Sequence, residues 1–213
     1  MNIQKIGHCC LLVRTNTLTI LTDPGNFSTD QNTVTGIDIV LITHEHGDHL
    51  HVSSLKEVLK NNPNAVVVTN TSVGKILDTE GMTYKVLEGR AKEVFQDVSV
   101  EAYDARHEEI YEEFGQVQNT GYFIDDRLFY PGDAFSVPEK PVEILALPVA
   151  GPWCKVSSAI TYALTVKPVK AFPVHDGQLI TERIGGSHKV PENILKRHGI
   201  EFIPMIPGSV IDF

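Results

Sequence analysis

Cysteine is scarce in this chain, and long apolar runs are missing. Three cysteines occur among 213 residues, two of them adjacent at Cys9 and Cys10, which gives neither an even disulfide framework nor a CxxC metal pair. That usage fits a reducing cytoplasm. No stretch approaches the roughly 18 consecutive apolar residues of a membrane span, and the apolar run from Cys9 to Val13 is short and closed by Arg14. The expectation is therefore no signal peptide and no membrane span. Basic charge is also short: Lys and Arg number 18 against 27 Asp and Glu, a net charge of -9. A nucleic-acid surface is disfavoured on that ground, because phosphate backbones recruit clustered cations. The G-x-S-x-G nucleophile elbow is missing and the cysteines lack a helper arrangement, so serine and cysteine acyl chemistry have no visible machinery. Low-complexity and solenoid repeats are absent as well.

With 42% apolar and 21% charged residues, the chain has enough material for a full hydrophobic core, and residues 1–213 read as one domain. Apolar runs bounded by turn residues predict strands at 2–6, 10–14, 18–22, 37–43, 65–69, 98–103, 121–124, 128–130, 144–149, 171–174 and 201–203. Helical spacing predicts helices at 52–61, 72–78, 157–165, 178–184 and 191–198. Strands at both ends of the chain with helices between them suggest two packed mixed sheets flanked by helices.

What is abundant is histidine, and in one place. LITHEHGDHLHVS, residues 41–53, crowds four histidines, a glutamate and an aspartate between His44 and His51, in a loop leading from a predicted strand to a predicted helix. His44 and His46, two apart on extended backbone, project to one side and can reach one ion. Asp48 and His49 follow Gly47, which permits a tight turn, so two pairs can serve two metals. The helical HExxH arrangement is different, since its histidines sit four apart; Glu45 is expected to point away from the ions. Imidazole with carboxylate suits zinc, and also manganese, iron, nickel or cobalt.

THEHGDH resembles the HxHxDH signature of the metallo-β-lactamase superfamily, and other landmarks recur in order along nearly the whole chain: TDPG at residues 22–25, ARH ending at His107, PGD ending at Asp133 and PVHDG around His175. The resemblance implies a four-layered αββα sandwich. It also implies two divalent ions, one held by His44, His46 and His107 and the other by Asp48, His49 and His175, with Asp133 bridging. Asp23 would orient a ligand imidazole from behind. IGHCCLLV, with His8, is similar to the opening of a branch that includes ascorbate-6-phosphate lactonase and N-acyl phosphatidylethanolamine phospholipase D, where a histidine stands near but outside the metal ligands. Cys9 and Cys10 depart from the small residues usual there. His51, His188 and His198 match no landmark and are read as surface residues.

The implied chemistry is hydrolysis. Two divalent ions lower the pKa of a bridging water from 15.7 towards about 7, supplying a hydroxide nucleophile for a carbonyl carbon or phosphorus atom. Asp48 would orient it or accept a proton, and His8 is the other catalytic candidate. The expected substrate is a small anionic ester, lactone or phosphodiester. Trp153 and Lys155, in AGPWCK after the strand ILALPV, would line the mouth, the tryptophan as an apolar wall and the lysine as a charge for the anion, provided that strand runs parallel to those preceding His44 and His175. Residues 108–119, EEIYEEFGQVQN, follow a ligand directly and read either as a solvated surface turn or as a flap over the site. A non-catalytic metal-binding or regulatory module on the same fold is the competing reading, although closed structural zinc sites generally use four protein ligands on one ion. Association into a homo-oligomer stays open.

Overall fold

The computed structural model describes residues 1–213 except 181 and 183. One sheet has the order β14-β1-β2-β3-β4-β5-β6. Its strands are β1 (Asn2–Gly7), β2 (Cys10–Arg14), β3 (Thr19–Thr22), β4 (Ile39–Leu41), β5 (Val66–Thr69), β6 (Lys85–Val86) and β14 (Val210–Asp212). The other sheet, β13-β12-β11-β10-β9-β8-β7, contains β7 (Lys92–Phe95), β8 (Val98–Arg106), β9 (Gln118–Ile124), β10 (Leu128–Tyr130), β11 (Ile144–Pro148), β12 (Lys170–Val174) and β13 (Glu201–Phe202). Each sheet is antiparallel on one side and parallel on the other. In the first, β3, β4 and β5 run parallel; in the second, β10, β11 and β12 do. β8 is antiparallel to β9 and β9 to β10, so β8 also points with that parallel set.

The sequence accounts for the layers. Strands such as VVVT and ILALP carry apolar residues on both faces because each sheet is covered twice. Leu11, Ile20, Leu41 and Val68 of the first sheet meet Val100, Tyr122, Ile144 and Phe172 of the second in the interior. On the outer face of the first sheet, α1 (Val52–Asn61) and α2 (Thr71–Thr79) lay Leu55, Val58, Val73 and Leu77 against Leu21, Val40 and Val67. On the outer face of the second, α3 (Val156–Val166) and α4 (Gly185–Arg197) set Ala159, Tyr162, Ala163 and Leu195 against Phe123, Phe129 and Leu147. The result is the four-layered αββα sandwich of the metallo-β-lactamase fold. No helix among the described residues is long and apolar enough to cross a membrane.

Some elements differ from expectation. The last helix begins at Gly185 rather than Pro191, and the proline lies inside it; a proline normally marks a helix start because it lacks the donor that interior positions need. The helix expected over 178–184 falls partly on residues outside the described set, and residues 177–179 form a turn and bend. Strands β6, β7 and β14 had no counterpart in the sequence reading. His188, read as a surface residue, is 4% exposed and hydrogen-bonds through Nε2 to Asp176 Oδ2 at 2.8 Å.

Candidate metal centre

Chain direction gathers the site at one edge. His44 follows β4, His107 follows β8, Asp133 follows β10 and His175 follows β12, each just beyond a strand's carboxyl end, where open α/β sheets place their ligands. β11 is parallel to β12, so the loop carrying Trp153 reaches the same edge. The turns are tight. A Cβ at Gly25 would lie 1.8 Å from the Asp48 carbonyl oxygen, so only glycine lets the TDPG turn pack under the histidine loop. His8, Asp23 and His175 have φ of 50°, 35° and 60°, a conformation that costs non-glycine residues energy and is typically retained where surrounding structure fixes a functional geometry.

One candidate donor set consists of His44, His46 and His107, and a second of His8, Asp48, His49 and His175; within each set one donor atom per residue lies within 4.8 Å of the others. Asp133 stands between them. Its Oδ2 is 3.8 Å from His44 Nε2, 3.2 Å from His107 Nε2 and 2.8 Å from His175 Nε2, while Oδ1 is 3.1 Å from His49 Nε2. The structure thus brings together all seven residues that the resemblance implies as ligands. Among them only Asp48 and His46 are not fully buried.

The far sides of the rings are fixed. His107 Nδ1–H donates to the Glu108 carbonyl at 2.6 Å and His175 Nδ1–H to the Ala150 carbonyl at 2.6 Å. His49 Nδ1–H donates to Asp23 Oδ2 at 2.7 Å. Thr43 Oγ1 gives its proton to Asp23 at 2.7 Å and accepts from His44 Nδ1–H at 3.0 Å. Each of these bonds selects the tautomer whose Nε2 lone pair faces inward, the usual way in which outer hydrogen bonds prepare imidazoles for a metal. His44 Nε2, His49 Nε2, His175 Nε2 and Asp133 Oδ1 are buried and have no hydrogen-bond partner among the described residues. His49 and His175 approach Asp133 closely, but with their protons on Nδ1 the two Nε2 atoms have none to donate to it. Lone pairs that converge on a common space instead of on each other are what a cation requires, since a buried polar atom without a partner is otherwise costly. The donor set, imidazoles with carboxylates, suits zinc and its first-row neighbours.

Electrostatics agree with that fit. Burial pushes His44 and His46 below the ordinary histidine range, with His49 and His107 respectively adding to it. Burial also opposes charge on His49 and His175 and is the largest single influence on each, but the Asp133 carboxylate and the other negative groups beside the rings together outweigh it and raise both. Asp133 is held well below the carboxylate range against its burial by His49 and His175. Asp48 is likewise lowered against burial, by the approach of His175 and a hydrogen bond from His8. The carboxylates therefore draw positive charge into a largely buried centre.

His8 is not open to an ion. Its Nδ1 accepts from the Gly177 N–H at 3.0 Å, which leaves the proton on Nε2 to be donated to Asp48 Oδ2 at 3.1 Å. Burial lowers its pKa to about 4, so the ring is a neutral donor that positions Asp48. Asp23 collects four hydrogen bonds, from His49, from both the N–H and the hydroxyl of Thr43, and from the Tyr130 hydroxyl.

A cavity of about 350 Å³ opens over the centre, lined by Asn26, Phe27, Ile110, Pro152, Trp153 and Gln178 beside the candidate ligands. Trp153 forms part of its wall and also donates its indole N–H to Asp133 Oδ2 at 3.1 Å. Lys155 does not line it: it is exposed and precedes α3 as its N-terminal cap residue. Ile110 lines the cavity, while Tyr111 and Phe114, in the same segment, are each 65% exposed. Thr43, Tyr130, Phe27 and Asn119, whose side-chain oxygen accepts from the Asp133 N–H at 2.9 Å, were missed from sequence. For Thr43 the only signal was adjacency to His44; for the others there was none.

Residues 2–175 match the family model described as the β-lactamase superfamily domain. The chain is 34% identical to protein Rv0786c of Mycobacterium tuberculosis over 180 residues, 82% of this chain and 84% of that one. It is 39% identical over 98 residues to a metal-dependent hydrolase of Geobacillus thermodenitrificans, covering 44% of this chain and 42% of the relative. Among solved structures it resembles a Parabacteroides distasonis chain described as a metal-dependent hydrolase, with a TM-score of 0.77 and 26% identity over 95% of this chain and 91% of the other.

Proposed function

The chain belongs to the β-lactamase superfamily and is a metal-dependent hydrolase, and from that premise we propose that it uses two ions to hydrolyse a small ester, lactone or phosphodiester. His44, His46 and His107 would hold one ion, Asp48, His49 and His175 the other, and Asp133 both. The observation that carries this reading is the group of buried, unpartnered donor atoms on His44, His49, His175 and Asp133. When bound, two divalent ions supply the charge that makes hydroxide available near neutral pH and offsets charge developing on oxygen.

The chain's own residues do the rest. Asp48, steadied by the His8 Nε2–H, lines the cavity and can orient a water or take its proton. Trp153, Phe27 and Ile110 give the substrate an apolar wall, and Asn26 and Gln178 offer amide donors and acceptors. Lys155 has no part in this reading; attraction for an anionic group would come from the metal centre instead. Zinc is the metal we favour on the donor set. Turnover of lactones, carboxylic esters and bis-(p-nitrophenyl) phosphate by zinc-loaded protein tests the proposal. The expected result is hydrolysis of at least one class, abolished in His46→Ala. Metal bound at full occupancy without turnover of any class would favour the non-catalytic module.

A further inference from the structure

Cys9 lies at the floor of the metal centre and none of the chemistry above uses it. It follows His8, whose backbone is left-handed with φ of 50°, and its carbonyl accepts from the Thr22 hydroxyl at 2.8 Å. The residue is 1% exposed. Its Sγ, one nitrogen of His49 and one carboxylate oxygen of Asp133 all lie within 4.8 Å of one another, a third donor set contiguous with the other two. Two members of that set, His49 and Asp133, carry buried donor atoms without a partner. The other two cysteines are elsewhere. Strand alternation sends Cys10 to the opposite face of the first sheet, among the residues under α1 and α2, and Cys154 places its Sγ 3.6 Å from the Pro148 carbonyl oxygen.

We propose that Cys9 is a ligand, as its thiolate, of the ion shared by His49 and Asp133. The inference rests on the metal-centre reading above. Binding replaces the S–H bond by a sulfur–metal bond, and the proton leaves to solvent; no oxidant or reductant is needed, because a coordinating thiol is deprotonated by the ion itself. A soft thiolate on one side of an imidazole and carboxylate site biases it towards zinc over harder ions such as manganese or magnesium. The centre is then asymmetric: one ion on three imidazoles and Asp133, the other with sulfur among its donors.

X-ray absorption at the zinc edge reads this directly on protein loaded with zinc and assayed for metal content in the same sample. The expected spectrum contains a zinc–sulfur shell near 2.3 Å, amounting to one sulfur shared over the bound ions. That shell is lost in Cys9→Ser and kept in Cys154→Ser. Bound zinc without a sulfur shell in the unmodified protein, or a shell that survives in Cys9→Ser, overturns the inference and leaves the hydrolase reading standing. Protein that binds no zinc at all overturns both. Because the unmodified protein can refute the assignment by itself, the test does not depend on Cys9→Ser folding.

Discussion

Asp23→Asn takes one acceptor oxygen from a side chain that receives four hydrogen bonds while wholly buried. Oδ2 serves His49, the Thr43 hydroxyl and Tyr130, and Oδ1 serves the Thr43 N–H at 2.8 Å. If the asparagine oxygen keeps the first group, its NH₂ faces the Thr43 N–H and two donors meet, an unsatisfied buried pair costing about 1–3 kcal/mol. If instead the oxygen turns to the Thr43 N–H, the NH₂ faces His49 Nδ1, which must give up its proton to accept. The proton then sits on Nε2, the atom needed by the ion. Either arrangement weakens the ion held by His49 by about 10–100-fold, or ~1.4–2.7 kcal/mol. The assay is a competition titration against a chromogenic chelator, with the far-ultraviolet spectrum establishing that the variant is folded. The step assigned to the His49 ion should move more than the other. Two ions retained with unaltered affinity in folded Asp23→Asn would refute the claim that this carboxylate sets the ligand's tautomer.

Lys5→Met leaves Asp176 buried beside His188 without its ammonium partner. Lys5 Nζ is fully buried and bonds both Asp176 oxygens, at 2.6 and 2.7 Å, so the loss in urea denaturation should be ~3–5 kcal/mol; a loss below ~1 kcal/mol, the size of an exposed pair, would mean the network is not structural. Shortening residues 110–117, which contribute Ile110 to the cavity and two exposed aromatics beside it, should change KM or kcat in steady-state assays while metal content stays constant. Unchanged kinetics would reduce that segment to a surface turn.

Much of the fold was legible because its signals are local. Runs such as CLLVR and LFY are short, apolar and bounded by turns, and α1 shows its buried stripe at Leu55 and Val58 within one sequence window. The edge strands are another matter. β6 has two residues, both exposed, and β14 exists through pairing with β1, Asn2 opposite Asp212 across the length of the chain; neither pattern is visible in a local window. The site divides the same way. His44, His46, Asp48 and His49 declare themselves by spacing within six positions, whereas His107, Asp133 and His175 stand out only through the ordered resemblance. Lys155 was brought to the mouth by a correct inference about strand direction, but following a parallel strand does not decide which way a side chain turns, and at the helix start it faces solvent. The hydrogen bonds of Thr43, Tyr130 and Asn119, and the burial of Lys5 and His188, are tertiary facts with no periodicity to announce them.

The central claim is a two-ion centre built on seven side chains. Elemental analysis of the purified protein after metal loading, run beside His175→Ala, tests it most directly. The account predicts about two transition-metal ions per chain, with His175→Ala retaining the ion on His44, His46 and His107 and losing the other. A reproducible single ion per chain, undisturbed in His175→Ala, would contradict it.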